Sequence, residues 1–172
     1  EQKANLNIYK EGEVLTCANV TAEGVSFTYE KRRQKGAVYN VYAAADIKRA
    51  DGTVVYKQGA LVKENLTTGD DGSATLKELY LGTYRVTEMK APTNLICAGE
   101  SKEVTLSYAG QNVEVAVGDL TFVNDRQKAK VFAEKQDKDT KKPLAGAVFG
   151  LYAGKDIKNQ EGQVVVVKDT LI

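Results

Sequence analysis

The 172-residue chain has no histidine and no tryptophan, one methionine, two prolines and two cysteines. Each shortage removes a class of chemistry. Without histidine there is no Ser-His-Asp or Cys-His dyad, no His-bearing zinc site and no imidazole acid–base catalysis. The two thiols fall short of the set that an all-cysteine structural zinc site requires. An excess of one charge is also missing. With 24 basic against 23 acidic residues, the net charge of +1 gives no general handle for nucleic acid or an anionic membrane surface. No apolar run nears the roughly 20 residues that span a bilayer; the longest purely aliphatic stretch is Val164–Val167. Neither a secretory leader nor a C-terminal sorting motif is recognisable, as expected of a soluble protein or of an internal piece of a longer one. Chemistry is left to Lys, Asp, Glu, Asn, Tyr, Ser and Thr.

What the chain does have is period-two alternation, interrupted by Gly, Asp and Asn turns. LNIYK (6–10), VSFTYEK (25–31), GAVYNVYAA (36–44), TVVYK (53–57), SATLKEL (73–79), TYRVTEM (83–89), KEVTLSY (102–108), VEVAV (113–117) and LTFVN (120–124) read as strands. Between them lie DG at 51–52, GDDGS at 69–73, KAPTN at 90–94 and AGQN at 109–112. Many short strands at this spacing predict an all-β sandwich. The one segment with helical character is Ala43–Lys48, expected as a turn at the end of its strand. GDDGS and DKDT (137–140) fall where turns are needed and lack the ligand count of a calcium loop, so no metal is expected. KRRQK (31–35) reads as a solvated strand end rather than a polyanion patch.

A repeat fixes the domain organisation. GAVYNVYAAADIKRADGTVV (36–55) aligns without gaps to GAVFGLYAGKDIKNQEGQVV (146–165), with eleven of twenty positions identical at an offset of 110 residues. Residues 1–126 are expected to form one complete sandwich with an inserted segment after its first strand. Residues 127–172 are expected to be the N-terminal part of a second copy, containing nothing that matches Ser73–Asn124. Such a fragment is expected to be poorly ordered or to lean on neighbouring molecules.

Strand parity singles out three polar residues. Leu6, Ile8 and Lys10 share one face of their strand, as do Tyr84, Val86 and Glu88, and Leu120, Phe122 and Asn124. A Lys, a Glu and an Asn thus each follow inward-pointing apolar residues. Buried apart they are costly; meeting one another they are not. Each also has a local explanation: Lys10 snorkelling to water, Glu88 at a strand end, Asn124 opening a turn with Asp125.

The sequence resembles the collagen-adhesin B-type (CnaB) repeats, also called SpaA-type pilin or prealbumin-like domains, of Gram-positive surface proteins. The resemblance rests on AEKQDKDTKKPLAGAVFGLYAGKDI (133–157), KGAVYNVYAAADI (35–47), TTGDDGSATLKELYLGTYRVTEMKAPTNL (67–95) and TFVND (121–125). It implies an immunoglobulin-like β-sandwich of about seven strands, followed by a truncated second copy. Such domains typically form an intramolecular isopeptide bond between a first-strand Lys and a last-strand Asn, assisted by a buried acid. The matching positions are Glu88, as proton shuttle, and Asn124. For the donor the resemblance leaves Lys10, in the long-insert pattern KEGEVL, and Lys31, which mimics Lys135 in following Glu. Lys135 is the equivalent donor of the second copy, whose Glu and Asn are absent from these residues.

A neutral amine is a nucleophile, and a protonated Glu can hydrogen-bond the Asn carbonyl. The expected chemistry is therefore a single-turnover self-crosslink that needs no cofactor, not enzymatic turnover. The resemblance further implies a stalk module at the bacterial cell surface, monomeric, with neighbouring repeats of the same protein as partners and no nucleic acid or membrane insertion. A binding module for a host matrix protein or glycan is the alternative. Cys17 and Cys97 are open between one disulfide and two reduced core thiols.

Overall fold

The computed structural model describes residues 1–172 and is all-β, without a helix. The strands are β1 (Lys3–Thr21), β2 (Gly24–Arg33), β3 (Val38–Ala43), β4 (Ile47–Lys48), β5 (Val54–Tyr56), β6 (Leu61–Thr67), β7 (Ser73–Leu79), β8 (Gly82–Lys90), β9 (Ser101–Leu106), β10 (Val115–Asn124), β11 (Ile157–Lys158) and β12 (Val164–Val166). They belong to two compact units. Unit 1 comprises Glu1–Glu13 and Lys31–Arg126; unit 2 comprises Val14–Glu30 and Gln127–Ile172. The outer half of the inserted β1–β2 hairpin therefore groups with the C-terminal segment.

Unit 1 is a sandwich of two sheets. One has the order β10-β1-β2, with β7 pairing the first half of β1; the other runs β6-β3-β8-β9. β1 lies parallel to β10, in unbroken register from Lys3 opposite Val115 to Gly12 opposite Asn124. Alternation along each strand fills the space between the sheets. Ala4, Leu6 and Ile8 of β1, Leu79 of β7, and Ala116 and Phe122 of β10 pack against Tyr39, Val41 and Ala43 of β3, Tyr84 and Val86 of β8, and Leu106 of β9. Burying each large side chain here is worth about 1.5–3 kcal/mol.

Three departures from the sequence expectation have local causes. Ala43–Lys48 carries no helix: β3 ends at Ala43 and the chain bends into the short β4–β5 hairpin, where Gln58 N donates to Asp46 Oδ1 at 2.8 Å. The last three residues of VEVAV and all of LTFVN belong to one strand, β10, not two. Gly118 does not break it because its missing side chain makes room for the facing sheet: a Cβ there would stand 2.4 Å from Leu106 Cδ2. β6 was not expected from LVKENLT, where Lys63, Glu64 and Asn65 blur the alternation. Its pairing with β3 shifts register on both sides of Val41, and Asn65 takes φ 53°.

In unit 2, β11 and β12 form a hairpin, while 148–153, the match to β3, forms no strand and pairs through an isolated Tyr152–Leu171 bridge.

Candidate functional site

The β1 alternation that buries Ala4, Leu6 and Ile8 continues one step further and buries Lys10, whose side chain has no solvent exposure. The same happens on β8, where Glu88 follows Tyr84 and Val86, and on β10, where Asn124 follows Phe122. Lys10 and Asn124 sit on adjacent parallel strands of one sheet, and Glu88 comes from the opposite sheet. Its carboxylate bridges the other two. Lys10 Nζ lies 2.6 Å from Glu88 Oε1, and Asn124 Nδ2 donates to Glu88 Oε2 at 2.8 Å.

The backbone under Lys10 is fixed on both sides: Lys10 N donates to Gly72 O, and Gln34 N donates to Lys10 O, each at 2.9 Å. This explains why the GDDGS turn contains Gly72. The residue takes φ 70°, and a Cβ would fall 2.7 Å from Gln34 N. The two aspartate-bearing turns use their carboxylates locally. Asp71 accepts from Ser73 N at 2.9 Å, and Asp137 accepts from Thr140 N at 2.8 Å.

The 91–100 loop covers the end of the site. Ala91 and Leu95 are buried, and Ile96 N donates to Asp125 O at 2.9 Å. The Leu95 side chain lies over Gly12, the register partner of Asn124, so closely that a Cβ on Gly12 would be 2.3 Å from Leu95 Cδ1. A cavity of about 180 Å³, lined by Ile96, Ala98, Glu100, Val123, Asn124 and Asp125, opens beside the carboxamide. Burial pulls the Lys10 amine below its ordinary pKa, against the opposing pull of its bond and charge interaction with Glu88.

Of the residues singled out from the sequence, Lys10, Glu88 and Asn124 are brought together. Lys31 is exposed, unlike Lys10, and Lys135 is also exposed. Cys17, on the outer part of β1, and Cys97, in the 91–100 loop, are free and both exposed, which corrects the expectation of a disulfide or of two core thiols. Parity did not pick out Tyr39, which is fully buried directly opposite Glu88 in the β3–β8 pairing. The available signal was its replacement by Phe149 in the repeat.

Residues 19–121, more than half of the chain, match the family model for the SpaA prealbumin-like fold domain. Glu88 lies within the matched range, while Lys10 and Asn124 flank it. Curated proteins yield no match. Among solved structures, GBS52, the minor pilin of the Gram-positive pathogen Streptococcus agalactiae, is 15% identical with a TM-score of 0.49, over 78% of this chain and 49% of that one. A streptococcal ancillary pilin is 20% identical with a TM-score of 0.49, over 99% of this chain and 49% of that one. The full-length major pilin SpaD from Corynebacterium diphtheriae is 18% identical with a TM-score of 0.44, over 73% and 30%. The chain thus spans about half the length of these proteins or less. On the extent of the family match, this chain belongs to the SpaA family of prealbumin-like fold domains.

Proposed function

We propose that this chain is a structural stalk module of a Gram-positive surface protein, closed by an isopeptide bond between Lys10 and Asn124 that Glu88 assists. The observation that carries this is the meeting of three buried polar groups, drawn from three strands and both sheets, with the Glu88 carboxylate touching the other two. For stability alone, apolar residues of similar volume would serve as well or better at such positions.

The chemistry follows from the surroundings. Burial favours the neutral Lys10 amine, which is the nucleophilic form. Nζ attacks Cγ of Asn124, and Glu88 takes the proton that Nζ loses and delivers it to Nδ2. The Cγ–Nδ2 bond breaks, ammonia leaves, and the new Nζ–Cγ amide remains. Glu88 ends as it began. Holding the reacting groups in one pocket supplies the effective molarity that an otherwise inert carboxamide needs. The cavity beside Asn124 offers ammonia a way out. The reaction occurs once and on the protein itself, so no external substrate is turned over.

β1 and β10 are the first and last strands of unit 1 and lie parallel, so tension along the chain shears one past the other. A Lys10–Asn124 bond carries that load covalently and closes a loop around nearly the whole unit. By analogy with disulfides, a loop of about 100 residues is worth ~4.7 kcal/mol in the chain-entropy model. The internal repeat supports neighbouring modules of the same protein as partners, in a tandem array at the cell surface.

Intact mass of the purified chain is the test. The wild type is expected one ammonia lighter than its sequence. Glu88→Ala and Lys10→Ala should restore the full mass, whereas Lys31→Ala should not. A wild-type mass equal to that of the unmodified sequence would rule out the crosslink and leave the sandwich untouched.

A further inference from the structure

Unit 1 contains two fully buried tyrosines, and their hydroxyls are treated differently. Tyr84 Oη donates to Tyr80 O at 2.7 Å, while Tyr39 Oη has no hydrogen-bond partner. A buried hydroxyl without a partner is destabilising, and native cores hold few of them. The strand does not require it, because the repeat carries Phe149 at the equivalent position.

Beyond their 2.6 Å contact with each other, Lys10 Nζ and Glu88 Oε1 are the other two buried side-chain atoms with no further partner. All three therefore belong to one neighbourhood. Tyr39 stands opposite Glu88 across the β3–β8 pairing. Its ring tilts against Phe122, with centroids 4.8 Å apart. Phe122 is in turn the register partner of Lys10 and precedes Asn124 by one step on the same face.

We propose that Tyr39 is a positioning residue for the Lys10–Asn124 crosslink: its hydroxyl donates to Glu88 Oε1 as Lys10 Nζ leaves that oxygen for Asn124 Cγ. This rests on the crosslink proposed above. Tyr39 holds the carboxyl in place while the proton from Nζ travels through Glu88 to the departing ammonia, and it neither gains nor loses a proton overall. Burial, reinforced by the nearby Glu88 charge, holds its pKa above the ordinary phenol value and keeps the hydroxyl a donor.

The experiment follows crosslinking in time. Full-length wild type, Tyr39→Phe and Glu88→Ala are made by cell-free translation, quenched in acid at intervals and weighed intact. The wild type should lose one ammonia, Glu88→Ala none, and Tyr39→Phe should lose it about tenfold more slowly, as expected when one hydrogen bond to a charged group is removed. Tyr39→Phe is also placed in an Asn124→Ala background, where no crosslink forms. Its thermal midpoint there should equal or exceed that of Asn124→Ala alone, since the ring stays and an unpaired hydroxyl goes. Equal rates for wild type and Tyr39→Phe would overturn the role of Tyr39 and leave the crosslink standing. A lower midpoint in the Asn124→Ala background would also overturn it, by tracing the slower reaction to loosened packing. A wild type that never loses ammonia would remove the crosslink and, with it, the role of Tyr39.

Discussion

The motif at 36–55 and its copy at 146–165 share eleven of twenty residues, and their backbones hold matching hydrogen bonds. Arg49 N to Thr53 O is repeated as Asn159 N to Gln163 O, each 2.9 Å, and Gly52 N to Arg49 O as Gly162 N to Asn159 O, each 3.0 Å. Gly59 N to Ala43 O returns as Asp169 N to Ala153 O, each 2.8 Å. Even the aspartate clasp recurs, Asp46 accepting from Gln58 N and Asp156 from Lys168 N, each at 2.8 Å. The apolar faces agree at Ala43 and Ala153, both buried, and differ at the two larger positions before them. Tyr39 and Val41 are 0% exposed, whereas their counterparts Phe149 and Leu151 are 57% and 52% exposed. The hairpin forms in both units because its partners lie a few residues apart and loop closure is cheap. The β3 face is buried along its whole length in unit 1, where β8 and β6 flank it and β1 and β10 cover it.

The sharpest way to break this contrast is to remove the bond proposed to close unit 1. Asn124→Ala keeps Lys10 and Glu88 together but forbids the crosslink. Unit 1 should lose about 4–5 kcal/mol, on the loop-entropy scale, in calorimetry or denaturant unfolding. Hydrogen exchange at Ala153 and Gly162 in unit 2 should not change. The variant should also acquire a pH dependence. Its free Lys10 amine has a folded pKa below 10.5, so between that value and 10.5 the unfolded chain binds a proton that the folded core has shed. Stability of Asn124→Ala should therefore rise with pH through that window and level off above it. With the proposed crosslink, Nζ of the wild type is an amide nitrogen, and the wild type should lack this contribution. A pH profile parallel to that of the wild type would show that Lys10 titrates normally.

A smaller effect separates the two faces. Val41→Ala should cost unit 1 about 2 kcal/mol, through lost burial and the cavity left behind. Leu151→Ala removes more carbon from an exposed position and should cost under about 0.5 kcal/mol. Equal losses in paired denaturant titrations would mean that Leu151 is covered in solution.

The same division between near and distant partners decided what was legible in the sequence. Parity placed Lys10, Glu88 and Asn124 on inward faces because side-chain direction along a strand is a local property. It could not say that β1 and β10 are parallel neighbours, or that Glu88 arrives from the opposite sheet, since those depend on pairings between residues more than forty apart. The resemblance leaves the donor open between Lys10 and Lys31; Lys10 is buried and Lys31 exposed, a difference that depends on the whole sandwich. Continuity of β10 through Gly118 is hidden because the reason for that glycine, Leu106 of the facing sheet, is a contact across the sandwich that parity along one strand does not report. Exposure of both cysteines was likewise invisible, a thiol being compatible with core or surface.

The smallest effect is the one that should be equal in both units. Gly52 and Gly162 take φ 84° and 83°, and a Cβ on either meets nothing within 4 Å. Substituting alanine thus adds no clash and removes no packing; it penalises only the left-handed backbone, by roughly 1 kcal/mol. If the hairpins are held by local bonds alone, Gly52→Ala and Gly162→Ala should speed exchange of their turn amides by the same factor, about fivefold for that free energy. Surroundings that differ as much as a closed sandwich and an open face should not matter. A markedly larger factor for Gly162→Ala would show that unit 1 stiffens its hairpin through the sheets above it, so that the shared turn depends on the fold as well as on its own twenty residues.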